Sequence, residues 1–292
     1  MYKLIACDID GTILTSDGDV TVRFMEVLKL ARSVGIPVVI VTGRRIASAI
    51  PIAAELELPG PLVTHSGAVA LTAAEEHILM ARHIRAGLAE EVCSMGHKHG
   101  ASVAVYENVY AGRTILVTTE RELHATVRAY PTLAPYCKRV SGFGQACSLD
   151  PVQITLRGEP AVMDKVVREL RTTYARDLSF IDYGQTETED YLVDVFASGV
   201  NKATGLKFIT DTYAIDPSEV VAFGDGVNDT ELLEFAGLGV AMGNSPDSVR
   251  EAADIVTATN DEDGVAVIIE DLFSRGLLHG VGHAAHPPQS LT

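Results

Sequence analysis

The stretch Leu4-Ile5-Ala6-Cys7-Asp8-Ile9-Asp10-Gly11-Thr12 decides the architecture. Four consecutive apolar residues read as a strand buried on both faces, the pattern of a parallel sheet covered by helices. Two carboxylates then stand at its carboxyl end, where open parallel sheets bind their ligands. Asp8 and Asp10 point the same way if the strand continues, and Gly11 lets the backbone turn sharply behind them. Carboxylates so placed repel unless a cation sits between them or one keeps its proton. Taken alone, the Asp-x-Asp-Gly tetrapeptide is more simply an Asx turn.

Outward from this strand the same grammar continues. Phe24, Leu28 and Ala31 share a helical face, Ile36–Val41 is a second strand, Ile46–Leu56 a helix, and Leu62–Thr64 a third strand. It returns with strands at Val220–Phe223, Leu238–Met242 and Ile255-Val256 and helices at Glu231–Phe235, Ser248–Ala253 and from Val265. Strands alternating with helices predict βαβ units and a parallel sheet. The middle reads differently. Ile84, Leu88, Val92 and Met95 mark a helix, and Ser102–Tyr106 and Arg113–Val117 alternate like antiparallel strands. A helix at Glu120–Tyr130, a strand at Val152–Leu156, a helix at Pro160–Tyr174 and a hairpin from Leu178–Ile181 and Tyr191–Val195 follow. The fold class is therefore α/β: a Rossmann-like parallel-sheet core, residues 1–82 and 198–292, carrying an inserted α+β domain, residues 83–197. The joints fall at Arg82-His83 and at Ala197-Ser198-Gly199, whose small residues suit a hinge.

The chain has 292 residues, 47% of them apolar, so wholesale disorder is excluded. Lys+Arg 23 against Asp+Glu 39 gives a net charge of −16. That balance disfavours nucleic acid and anionic membranes as partners but permits a small anionic substrate neutralised at one site. No apolar run approaches the ~20 residues that span a bilayer, and Met1-Tyr2-Lys3 runs into the strand without a signal core. Cys7, Cys93, Cys137 and Cys147 form no CxxC pair and read as buried free thiols. The expectation is a cytoplasmic protein, monomer or homodimer. His279 and His283 in the aperiodic tail have helical metal-pair spacing, but without acidic partners they read as solvated.

Three further signals follow the opening motif. Thr42-Gly43-Arg44 puts a hydroxyl and open amides at a helix start, a phosphate cradle or a plain N-cap. Lys202, in Asn201-Lys202-Ala203-Thr204-Gly205, opens a helix where its charge opposes the dipole, which points to an anion, although most such lysines are solvated. Gly224-Asp225-Gly226-Val227-Asn228-Asp229 adds carboxylates at another strand end, hard oxygen donors suited to Mg²⁺. Their conjunction decides the reading.

With these motifs, and with Ala241-Met242-Gly243-Asn244, the sequence resembles the haloacid dehalogenase superfamily and, within it, the Cof-type sugar-phosphate phosphatases, over nearly the whole chain. The resemblance implies that the insert is a cap domain choosing the substrate. Asp8 would be the nucleophile, forming an aspartyl-phosphate. Asp10 would be general acid and then base. Mg²⁺ would bind the Asp8 carboxylate, the Asp10 carbonyl and Asp225. Thr42, Gly43, Arg44, Lys202 and Asn228 would hold the phosphoryl group. Thr12, Asp229 and Asn244 would support them, with Asp229 orienting Lys202 or metal-bound water. Where related sequences carry Asn-Gly-Ala, this chain has Ser66-Gly67-Ala68 behind His65, a departure. The substrate contacts the resemblance implies there would fall to Ser66 and Gly67, with a shorter polar group, and His65 would be a substrate group or a structural histidine.

The implied activity is Mg²⁺-dependent hydrolysis of phosphomonoesters of small metabolites, sugar or polyol phosphates. The alternatives are a phosphotransferase or mutase on the same nucleophile, or a non-catalytic binding module. In the insert, His97-Lys98-His99, Tyr183 and Glu187-Thr188-Glu189-Asp190 are polar candidates, the acidic run more simply a solvated face. Its cations (Arg113, Arg121, Arg128, Lys138, Arg139, Arg157, Arg168, Arg171, Arg176) are scattered, and no cluster announces a second phosphate site.

Overall fold

The computed structural model describes residues 1–185 and 190–280. The chain divides into two compact units: Met1–Arg45, Ala49–Met80 and the chain from Asn201 onward in one, and Ile46–Ser48 with Ala81–Val200 in the other. The first unit begins with β1 (Leu4–Cys7), α1 (Val22–Ser33), β2 (Val38–Val41), α2 (Ile46–Glu55), β3 (Pro61–Thr64), β4 (Val69–Thr72) and β5 (Ile78–Ala81). All four β1 residues are buried, two on each face of the sheet. α1 starts where Thr21 Oγ1 accepts from Phe24 N, and it buries Phe24, Val27, Leu28 and Ala31 along one stripe.

The second unit contains α3 (Ala86–Lys98), β6 (Ser102–Tyr106), β7 (Ile115–Val117), α4 (Glu120–Ala129), β8 (Cys137–Arg139), α5 (Phe143–Cys147), β9 (Gln153–Gly158), α6 (Pro160–Tyr174), β10 (Leu178–Gln185) and β11 (Tyr191–Ala197). The first unit resumes with α7 (Lys202–Tyr213), β12 (Val220–Gly224), α8 (Thr230–Phe235), β13 (Leu238–Ala241), α9 (Asp247–Ala252), β14 (Ile255–Val256) and α10 (Gly264–Ser274).

The core sheet runs β14-β13-β12-β1-β2-β3-β4-β5. Its first six strands pair in parallel. β4 pairs antiparallel to β3, beside the parallel core. Only residues 65–68 lie between the two strands, whereas a parallel neighbour needs a crossover of a dozen or more. On one face, Leu4, Ala6, Val39, Val41, Val63, Leu206 and Ile209 pack together, so α7 is anchored directly beneath β1–β3.

The second unit is α+β, with sheet order β10-β11-β9-β6-β7-β8. All its pairs are antiparallel except β7 with β8. Val103 and Val105 of β6 face a core shared with α3 and α6 through Val92, Met95, Val166 and Leu170, which leaves Ser102, Ala104 and Tyr106 on the other face. Residues 113–114, read as strand, precede β7, and β8 and α5 lie where the sequence shows no periodicity. The four cysteines are free. Cys137 is half-buried rather than buried, and Cys93 and Cys147 bring their sulfurs to 3.8 Å.

Candidate active site

β12, β1, β2 and β3 are adjacent and parallel. Residues just beyond their carboxyl ends therefore share one edge of the sheet. Those residues are Asp225, Asp8, Thr42 and the pair His65-Ser66.

Asp8 is 6% exposed, with Oδ1 2.9 Å from Lys202 Nζ. Lys202, 1% exposed, also donates to Asp229 Oδ1 at 2.6 Å. Its place is fixed by a reciprocal cap: Asn201 Oδ1 accepts from Thr204 N at 2.8 Å, and Thr204 Oγ1 accepts from Asn201 N at 3.1 Å. The helix start is pressed against the β3 turn. A Cβ on Gly67, which has φ +100°, would stand 1.9 Å from the Asn201 carbonyl oxygen, and one on Gly205 would stand 2.6 Å from Val63 Cγ1. Neither position accepts a side chain, so the lysine's depth depends on two glycines.

Asp229 commits both oxygens. Oδ1 takes the lysine, and Oδ2 accepts from the amides of Asp225 at 3.2 Å and Gly226 at 3.0 Å. Asp225 Oδ1 accepts from Thr12 Oγ1 at 3.0 Å. Asn244 Nδ2 lies 2.9 Å from the Gly11 carbonyl and 3.5 Å from Asp225 Oδ2. Gly11, at φ +71°, is required here, because a Cβ would sit 2.2 Å from Asp225 Oδ2.

Burial pushes the Asp8 carboxyl up to about 8, with Lys202 opposing and Asp229 and Asp225 adding to the rise. Burial and the Asp229 charge raise Asp225 to about 6 against Thr12 and Lys202. Burial pulls Lys202 down, but Asp229 and Asp8 more than reverse this, and its net shift is upward. The edge is thus a carboxylate cluster with too little positive charge. One oxygen from each of Asp8, Asp225 and Asp229 lies within 4.8 Å of the others, so a hard divalent cation fits the donor set. With Asp229 engaged by an ammonium and two amides, Asp8 and Asp225 are the better donors to it.

Asp10 stands apart. Its carboxylate is 59% exposed and held in a bidentate fork by Arg44, Nε to Oδ2 at 2.8 Å and Nη2 to Oδ1. The hydrogen bonds to Asp10 hold the Arg44 guanidinium above its usual range. The arginine expected at the phosphate cradle is here forked to Asp10. Thr42 is 1% exposed, and its Oγ1 accepts from Arg44 N at 3.1 Å. Gly43 and Asn228 are half-buried in the turns after β2 and β12. Ser66 N donates to the Thr42 carbonyl, and His65 N to that of Arg44, tying the β2 and β3 turns together. His65, Ser66 and Gly67 all take left-handed φ values. His65 is buried, and the buried Ser66 Oγ has no hydrogen-bond partner among the described residues.

Asn260 was invisible in the sequence. Its amide donates to Asn244 Oδ1 at 3.1 Å and its Nδ2 to the Leu14 carbonyl at 2.8 Å, so it orients the residue that spans Gly11 and Asp225. Only the chain's closure across some 246 positions brings it there.

In the second unit, His97 Nδ1 lies 3.3 Å from Glu122 Oε1 and His99 Nε2 2.7 Å from Glu169 Oε2, while Tyr183 is exposed. Residues 187–189 of the acidic run, and His283, lie outside the described residues; His279 is exposed. One reading is corrected: Arg121, Arg128 and Arg157, scattered in sequence, line a single cavity of about 470 Å³. The antiparallel register and one helix face gather them, which linear spacing does not show.

No helix among the described residues is long and apolar enough to cross a membrane. Residues 5–269 match the family model of the haloacid dehalogenase-like hydrolases. The chain is 28% identical over 276 residues to the 5-amino-6-(5-phospho-D-ribitylamino)uracil phosphatase YitU of Bacillus subtilis, covering 93% of this chain and 97% of that protein. It is 30% identical over 248 residues to the HMP-PP phosphatase of Serratia proteamaculans, covering 84% and 85%. A solved haloacid dehalogenase-like hydrolase from Bacteroides thetaiotaomicron superposes with a TM-score of 0.79 at 26% identity, over 94% of this chain and all of that one. A family match of that length, on the fold and strand-end cluster described above, means that the chain belongs to the haloacid dehalogenase-like hydrolases, in their Cof-type phosphatase branch.

Proposed function

We propose that this phosphatase hydrolyses phosphomonoesters of small metabolites, sugar or polyol phosphates foremost, through an aspartyl-phosphate on Asp8, with Mg²⁺ as cofactor. The observation that carries the reading is Asp8 held 2.9 Å from a buried lysine at the meeting point of four strand ends. Similarity to proteins named as phosphatases of phosphorylated metabolites supports the substrate class, as does likeness at 26% identity to a solved sugar phosphatase, TM-score 0.75 over 94% of this chain and all of that one.

An Asp8 carboxylate oxygen attacks phosphorus as the bond to the ester oxygen breaks, and Asp10 gives that oxygen its proton. The Arg44 fork takes both Asp10 oxygens as acceptors, so Arg44 releases one of them for Asp10 to carry the proton it gives, and holds Asp10 in place as the base. Asp10 then takes a proton from the water that attacks the aspartyl-phosphate, releasing inorganic phosphate and restoring Asp8. Lys202, Thr42, Asn228 and the Ser66-Gly67 turn hold the phosphoryl oxygens, where most of the transition-state stabilisation is needed. The unpartnered Ser66 Oγ supports its role as a donor to one of them. Mg²⁺, held by Asp8, Asp225 and the Asp10 carbonyl, would supply charge neutralisation when bound. The inserted domain, residues 83–197, serves as the cap that selects the leaving group.

The test is phosphate release from a panel of phosphorylated metabolites with Mg²⁺ and with EDTA, beside Asp8→Asn. We expect metal-dependent release that falls at least ~10⁴-fold in Asp8→Asn, with an unchanged circular dichroism spectrum. Full activity in EDTA would overturn the metal, and retained turnover in the variant would overturn the nucleophile.

A further inference from the structure

The second unit holds a cavity of about 470 Å³ whose lining includes Arg121, His124, Arg128 and Arg157 and the acids Glu159 and Asp190, with Ser102 beside them. From these residues we infer that the cavity binds a small anionic metabolite through a phosphate or carboxylate group, at a site built within this unit alone.

The charge balance is the first argument. Among the described lining residues, three arginines and a histidine face two carboxylates. Arg121, His124 and Arg128 recur at helical spacing, so one face of α4 delivers all three to the same space. Arg121 and Arg128 stand two turns apart on that face, with the His124 ring between them.

Burial is the second. Arg157 comes from the middle of the sheet and its side chain is 9% exposed, with the guanidinium 5.4 Å from the Tyr130 ring centroid. By strand alternation its neighbour Leu156 enters the apolar core, so Arg157 belongs to the opposite face, with Ser102 directly across in register. Asp190 Oδ2 is 3.2 Å from Arg128 and 3.7 Å from Arg157, so one acid pairs with both guanidiniums. Among the described lining residues the arginines outnumber the carboxylates three to two, and Asp190 orients two of those arginines. A planar fork held in place suits a phosphate or carboxylate bidentately. The volume lies in the range of small-molecule pockets.

Pyrophosphate is the probe, titrated calorimetrically into the full chain in EDTA, where the metal-free carboxylate cluster repels it. We expect saturable binding that weakens at least tenfold in Arg121→Gln/Arg128→Gln, both exposed positions whose loss leaves the fold intact, and further in Arg157→Gln. Asp8→Asn should bind as the unchanged protein does, which separates this inference from the proposed phosphatase chemistry. No binding in EDTA, undiminished binding in the double variant, or loss of binding in Asp8→Asn would each overturn it.

A kinetic arm, resting on the phosphatase reading, identifies the ligand's source. If the double variant lowers kcat/KM for a hexose bisphosphate but not for p-nitrophenyl phosphate, the bound group is the far end of the substrate. If neither changes while pyrophosphate binding is lost, the ligand is a separate anionic metabolite.

Discussion

The molecule holds two concentrations of charge built in opposite ways. At the core's strand ends, Asp8, Lys202 and Asp229 are almost wholly buried and locked into short contacts. In the α+β unit, Arg121 and Arg128 stand on an open helix face, and Arg157 alone is deeply set. Burial makes the first cluster expensive to disturb, because removing one partner leaves an uncompensated charge in a low-dielectric setting. Exposure makes the second adaptable and cheap.

The sharpest way to break this contrast is Lys202→Met. It leaves Asp8 and Asp229 facing each other without their ammonium, and we expect a loss of about 3–5 kcal/mol in urea unfolding. Phosphatase activity should fall by ~10³-fold or more, because the phosphoryl group loses its buried cation. A variant as stable as the parent would show that the triad carries no such tension.

A pH series sharpens it further. Unfolded, Asp8 releases its proton near 3.8; folded and metal-free, it holds it to about 8. The unfolded state therefore binds fewer protons across that window, and stability present at low pH is lost as pH rises through it. Asp225, raised to about 6, acts in the same direction over the lower part. In EDTA, Tm should fall by roughly 4–8 °C between pH 5 and 8 relative to Asp8→Asn, read by thermal melts. Mg²⁺ should abolish the difference. A parallel pair of curves would refute the raised carboxyl.

The smallest effect belongs to the second unit's surface. Arg139→Gln removes a pair with Glu120 whose side chains are 54% and 59% exposed. Its cost should stay within about 0.5 kcal/mol in urea, and a larger loss would contradict the contrast drawn between the two regions.

Legibility follows the same division. A parallel sheet sends successive strand ends to one edge, so Asp8, Thr42 and Asp225 could be read in order from apolar runs punctuated by glycine, whereas Lys202 was read from its place at a helix start. What that reading lacked depends on three-dimensional closure: the antiparallel β4, the Arg44 fork on Asp10, and Asn260 bracing Asn244. In the α+β unit the helices at 86–98 and 160–174 were plain from their apolar stripes. The arginine cavity was not, because α4's polar face and the β6–β9 register meet only after folding. The approach of Cys93 to Cys147 was hidden for the same reason.

The pairing of β1 with β12 sets the order in which the protein can be made. Cys7 lies opposite Phe223, so the strand bearing Asp8 waits for about 216 further residues before its second neighbour exists. At ribosomal speeds of about 5–20 residues per second, that interval is roughly 10–40 s. Residues 81–200 form an unbroken segment and emerge in full during the wait. A nascent chain therefore carries an incomplete β1 edge past a whole intervening unit, and an N-terminal fragment ending before residue 220 has no route to the lysine-bridged acid pair.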